Sequence, residues 1–198
     1  MTTMTSVCVF CGSSVGNDPL YRTVSEQLGQ ELARRGLTLV YGGGNVGLMG
    51  AIADATLAAG GTVRGYIPRA LREKEVAHLG LTELRVLGSM HERKAAMEAN
   101  ADGFIALPGG FGTLDELCEI LTWGQLGIHR KPIGILDVDG YYAPLLAFFD
   151  GAVERGFIRP DHRSLLLADT DPAILLDRMI AWQPTIMPKW TTAPSPAP

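Results

Sequence analysis

Short apolar runs alternate with amphipathic stretches along almost the whole chain. Residues 6–10, 37–41, 62–67, 82–87, 103–107, 133–137 and 165–167 are of strand length and largely apolar. Such runs suit parallel strands buried on both faces, because a sheet with one wet face would alternate apolar and polar residues. Between them the apolar positions fall at helical spacing. Leu20, Val24, Leu28 and Leu32 mark one face of a helix that stops at Gly36, with Arg34 and Arg35 solvated in its last turn. An alanine-rich helix from Leu48 to Ala59 is closed by Gly60 and Gly61, and Ser89 caps a helix reaching about Asn100. Leu114, Leu117 and Leu121 share a helix face, residues 142–154 form a further helix, and Pro172 opens the last, which ends near Trp182. Pro68 halts the third strand, and the charged stretch 69–80 reads as a lid or short helices over the sheet edge.

This alternation, with short links, predicts a single α/β domain over residues 1–182. Its architecture is a Rossmann-like, doubly wound parallel sheet of about seven strands with helices on both faces. Residues 183–198 are rich in Pro, Thr and Ser and are expected to form a disordered tail. In doubly wound sheets ligands bind beyond the C-terminal ends of the strands, near the point where the strand order reverses. The loops 12–16, 42–47, 88–94 and 108–116 all follow strands, so one site built from four loops is expected.

Composition narrows the class. The 198 residues are 46% hydrophobic and carry a net charge of −4, so no basic excess advertises nucleic acid. No apolar run approaches the ~20 residues of a membrane helix, and residues 1–6 lack the basic start of a signal peptide. A soluble cytoplasmic protein is expected, with neither nucleic-acid nor membrane partners. Cys8 and Cys11 spell C-x-x-C, but Cys8 sits in a strand, where an offset of three puts the side chains on opposite faces. Without a second Cys or His pair there is no zinc set, and core packing is the expected role.

The loops hold the candidate chemistry. Gly42, Gly44 and Gly47 fit G-x-G-x-x-G after a strand and before a helix, yet the next strand ends without the carboxylate that would hold an NAD ribose. The loop, with Gly43, reads instead as a phosphate or ribose cradle. Gly109, Gly110 and Gly112 lead into a helix whose first turn offers unpaired amides and a positive dipole end. Glu116 beside such an anion site would repel the anion unless it has a task of its own. Thr113-x-x-Glu116 is also a capping box, and spacing alone weighs that role equally with a functional carboxylate. His91–Glu92 lacks the second histidine of a zinc protease helix. Arg93 and Lys94 point ~100° apart on a helix, so only one is expected to reach deep into the site. Arg93 is the better candidate, because its fork matches a phosphate or a carboxylate.

Four ordered motifs then converge: Cys11–Gly12–Ser13–Ser14, Tyr41–Gly42–Gly43–Gly44-x-x-Gly47–Leu48–Met49–Gly50, Ser89–Met90–His91-x-Arg93–Lys94 and Pro108–Gly109–Gly110-x-Gly112–Thr113-x-x-Glu116. Together they resemble the LONELY GUY family over about residues 5–182, continuing through Thr122–Trp123-x-Gln125 and Asp139–Gly140–Tyr141–Tyr142. The family comprises cytokinin riboside 5′-monophosphate phosphoribohydrolases, long mislabelled as lysine decarboxylases. The resemblance implies hydrolysis of the N-glycosidic bond of an N6-modified adenosine monophosphate, with Arg93 and Glu116 as the catalytic pair. It implies substrate contacts at Glu75, Arg93, Lys94, Gly110, Phe111, Gly112, Thr113, Leu114, Asp115, Glu116 and Thr122, beside Ser13, Gly43 and Gly44 of the glycine loops. A homodimer without cofactor or metal is implied as well. Before the lid, lysine at position 74 stands where the family has arginine, while Glu75 is kept. The rival readings are a nucleosidase for ordinary AMP and a non-catalytic nucleotide or cofactor carrier; lysine decarboxylase is the weakest, since no pyridoxal lysine motif is recognisable.

Overall fold

The computed structural model describes residues 4–72 and 77–183. Seven strands, β1 (Ser6–Phe10), β2 (Thr38–Tyr41), β3 (Val63–Pro68), β4 (Glu83–Leu87), β5 (Phe104–Ala106), β6 (Ile133–Leu136) and β7 (Leu166–Asp169), form one parallel sheet. Their order is β4-β3-β2-β1-β5-β6-β7, so the chain winds outward from β1 in one direction and from β5 in the other. The long helices are α1 (Pro19–Arg34), α2 (Gly47–Ala58), α4 (Met90–Ala99), α5 (Phe111–Gln125), α6 (Ala143–Glu154) and α8 (Pro172–Ala181). Two single-turn helices, α3 (Arg69–Arg72) and α7 (Pro160–Arg163), complete the set among the described residues; the sequence pattern announced short helices near the first but gave no sign of the second. Among the described residues no helix is long and apolar enough to cross a membrane.

Each face of the sheet has its own core. Val7, Val9, Leu39 and Tyr41 pack against Leu28, Ile52 and Leu176 on one side. Cys8, Phe10 and Phe104 pack against Met97, Leu117 and Ile120 on the other. Cys8 and Cys11 fall in opposite cores, both as free thiols, and burial pushes both thiol pKa values up. They are therefore inert packing groups, as period-two alternation required.

Several local expectations are corrected. Pro68 does not halt β3 but closes it, opposite Leu87 of β4. The β2 side of the strand has already ended at Gly65, so its missing N–H leaves no ladder bond unmade. Leu20 is 42% exposed, because α1 buries Val24, Ser25, Leu28, Gly29 and Leu32 instead. Arg35 is not solvated; it reaches Glu31 at 2.5 Å and Asp177 of α8 at 2.6 Å, tying two helices together. Both ends of that bridge lie on separate segments, which a helix-end argument from sequence does not see. Residues 184–198 of the expected tail and Glu75 of the expected lid fall outside the described residues.

Candidate active site

Where the winding reverses, between β1 and β5, two loops leave adjacent strands and cannot fill the gap they open. Residues 12–16 and 108–110 flank a cleft of about 310 Å³, lined by Ser13, Ser14, Tyr21, Gly110 and Tyr141 among others. Backbone bonds fix its walls: Gly12 N–H donates to the Pro108 carbonyl at 3.0 Å, and Leu48 N–H donates to the Gly12 carbonyl at 3.0 Å. The start of α2 is thereby tied into the same cluster. Gly47, in the left-handed region, lies so close to Ser13 that a Cβ would overlap the Ser13 carbonyl.

Helix α5 begins at this cleft, and it begins earlier than its sequence suggests. Gly110 is the N-cap, with no side chain to offer, and Thr113 is already the third helical residue. The capping-box reading of Thr113 and Glu116 is therefore wrong. A side-chain cap is found on α4 instead, where Ser89 Oγ accepts from Glu92 N–H at 3.2 Å and the Glu92 carboxylate accepts from the N–H of Gly88, just before the cap, at 2.9 Å. In α5 the first helical bond is Leu114 N–H to the Gly110 carbonyl, so the amides of Phe111, Gly112 and Thr113 have no helical partner. A Cβ at Gly110 or Gly112 would meet nothing within 4 Å. The first turn of α5 is open, uncapped and free of acidic side chains, the arrangement an anion needs.

One turn further along α5, Glu116 meets α4. Arg93 Nη2 donates to Glu116 Oε1 at 2.9 Å, with the two side chains only 11% and 12% exposed. The guanidinium passes beneath Gly42, whose Cβ, were there one, would lie 2.5 Å from Nη2. Arg93 Nε is buried and has no partner among the described residues. Burial raises the Glu116 pKa, and the Arg93 and Lys94 charges only partly offset this, while Asp115 and Glu119 add to it. A carboxylate tuned this way sits nearer the working pH of acid–base chemistry than an exposed one. Lys94, expected to reach less deeply than Arg93 but to contact substrate, also turns inward. It is 14% exposed and reaches Asp115 at 2.9 Å and Glu119 at 3.3 Å, because acids on α5 flank Glu116 on both sides.

Other site residues suggested by the sequence take different places. The Gly43 carbonyl accepts from His78 N–H at 3.0 Å and Gly44 bridges to Ala77, so both glycines anchor the segment at residues 77 and 78. Thr113 is buried with its hydroxyl against Gly109, Leu114 is half-buried, Asp115 exposed, and Phe111 is 93% exposed at the helix start. Thr122 is not brought to this cluster. Its hydroxyl donates to the Cys118 carbonyl at 2.7 Å, and it lines a separate cavity of about 160 Å³ with Gln125, Phe149 and His162. Tyr21 and Tyr141, which wall the cleft, carry no periodic signal; only the Asp139–Gly140–Tyr141–Tyr142 string hinted at the second.

Comparison with known proteins decides the family. Residues 49–179 match the model of a family described as "Possible lysine decarboxylase". Over 173 residues the chain is 51% identical to a rice protein named "Probable cytokinin riboside 5'-monophosphate phosphoribohydrolase", covering 87% of this chain and 78% of that one. The chain belongs to the LONELY GUY family. A second member, the cytokinin riboside 5′-monophosphate phosphoribohydrolase of Arabidopsis thaliana, is 49% identical over 90% of this chain and 82% of its own. The LONELY GUY fold extends further than the family. The molybdenum cofactor carrier protein of Chlamydomonas reinhardtii superposes with a TM-score of 0.69 over 90% of this chain and 99% of that one, at 19% identity. That likeness concerns the fold alone.

Proposed function

We propose that this protein is a hydrolase that cleaves the N-glycosidic bond of an N6-modified adenosine 5′-monophosphate, releasing the free cytokinin base and ribose 5-phosphate. The observation that carries the reading is the pairing, on one helix, of an open amide turn with a buried Glu116–Arg93 ion pair. The amides of Phe111, Gly112 and Thr113 hold the 5′-phosphate, with Ser13 and the 12–16 loop closing the opposite wall. Glu116 stands one turn along, at the ribose. As the C1′–N9 bond breaks, the base leaves with the bonding electrons and positive charge grows on the sugar, which the Glu116 carboxylate stabilises. A water oxygen then bonds C1′, and its proton is passed on to the departing base. Arg93 holds the carboxylate in place through one Nη.

The same reading takes the protein as a cytoplasmic homodimer. Support for a second copy comes from α6, an apolar helix with no buried residue, and from Phe148 and Phe157, 68% and 86% exposed. The test is chromatographic. Purified protein without added metal is incubated with isopentenyladenosine monophosphate, AMP and the unphosphorylated riboside. Base from the modified monophosphate, with little from the riboside, is expected. Equal release from AMP would make the protein a general nucleotide nucleosidase, and binding without release would make it a carrier.

A further inference from the structure

Two consecutive tyrosines on the β6–α6 connection grip the turn that starts α5. Tyr142 OH donates to the Leu107 carbonyl at 2.7 Å and Tyr141 OH donates to the Gly109 carbonyl at 2.6 Å. Between them the Pro108 carbonyl accepts from Gly12 N–H at 3.0 Å. Three successive carbonyls are thus all engaged. Because each peptide is planar, a fixed carbonyl fixes the direction of the next N–H, here as far as Gly110. Without these bonds Gly109 and Gly110 would be among the freest joints in the chain. A carbonyl swung into the cleft would also set a negative end against an anion.

The connection is shaped for the grip. Asp139 adopts φ 52°, unusual outside glycine, and Gly140 follows at 71°. Asp137 Oδ1 accepts from Tyr142 N–H at 2.7 Å, and the two tyrosine rings stand 5.0 Å apart at 87°. Tyr142 is 1% exposed, and burial pushes its hydroxyl pKa up, so it remains a donor. Tyr141 is 42% exposed, lines the cleft and meets Tyr21 edge-on at 5.9 Å.

We infer that Tyr141 and Tyr142 are positioning residues: they lock the 107–110 peptides so that the α5 amides face the cleft, and Tyr141 thereby sets the preference for a phosphorylated over an unphosphorylated nucleoside. The inference rests on the function proposed above. Tyr141→Phe tests it, since the variant keeps the ring and its contact with Tyr21 and loses only the donor. Hydrolysis of isopentenyladenosine monophosphate and of its riboside is measured for both proteins, together with the shift in thermal midpoint caused by inorganic phosphate. The variant is expected to raise KM for the monophosphate about tenfold, to change its kcat little, and to leave the riboside rate alone. The stabilisation by phosphate shrinks in parallel. A general structural defect would lower both substrates together and would overturn the inference. A variant that keeps the wild-type ratio of monophosphate to riboside and the full phosphate shift overturns it too, while the function stands. A wild-type protein that neither prefers the monophosphate nor is stabilised by phosphate overturns the functional reading, and the inference with it.

Discussion

The loops 42–47 and 108–112 look alike in sequence and do opposite things. Each follows a strand, precedes a helix and is rich in glycine. In the first, the glycines are required by the protein's own atoms: Gly42 makes room for Arg93, Gly47 for Ser13, and the Gly43 carbonyl is spent on His78. In the second, Gly109 is crowded by Thr113 and Gly12, but Gly110 and Gly112 face open space beside amides with no partner among the described residues. A glycine motif therefore reports close approach without saying what approaches. Here the dinucleotide-like fingerprint packs closely around Arg93, the arginine of the proposed catalytic pair, and the less familiar loop is the proposed anion cradle.

That contrast is broken most directly by adding a methyl group to each loop. Gly42→Ala drives a Cβ into the Arg93 guanidinium. Unfolding and steady-state assays are expected to show a stability loss of about 1–3 kcal/mol and a fall in kcat of about a hundredfold. Gly112→Ala meets no protein atom and sits in the first turn of α5. It is expected to gain roughly 0.5–1 kcal/mol of stability while raising KM for the monophosphate several-fold. Equal effects of the two substitutions on stability would erase the distinction.

The smallest effects concern pH. In the proposed mechanism Glu116 acts as an anion, and burial raises its pKa above the usual 4.5, so activity is expected to fall as pH drops through a value higher than that. Lys94→Met removes a positive charge that favours the anion and moves this acid limb up. Glu119→Gln removes a negative charge that opposes it and moves the limb down. A pH–rate profile in which both variants shift the same way would contradict the electrostatic account.

Much of the frame was legible. Apolar runs bounded by glycine located all seven strands, with errors of a few residues at the ends, and helical spacing located the long helices. The start of α5 was not legible, because Phe111 is flanked by its glycine N-cap and by Gly112, which has poor helix propensity, and Thr113-x-x-Glu116 imitates a cap. Tertiary bonds from Gly12, Tyr141 and Tyr142 hold the preceding turn in place and override the local signal. The Arg93–Glu116 pair joins residues 23 apart on different helices, a relation that periodicity does not carry and only the family resemblance supplied. That resemblance also brought Thr122 forward, which the fold of one chain sets in a separate cavity. Arg35 and Pro68 were misjudged for a shared reason: their partners, Asp177 and the β4 edge, are distant in sequence.

The central claim is that Glu116 performs chemistry on a nucleotide held elsewhere on the same helix. Glu116→Gln separates the two tasks, since it keeps the shape and a hydrogen-bonding group while removing the charge. The decisive measurement is the turnover of isopentenyladenosine monophosphate by this variant, set beside its dissociation constant for the same compound. The account predicts affinity close to wild type and turnover lower by about a thousandfold. Full turnover in the variant would contradict it and return Glu116 to an ordinary helix position.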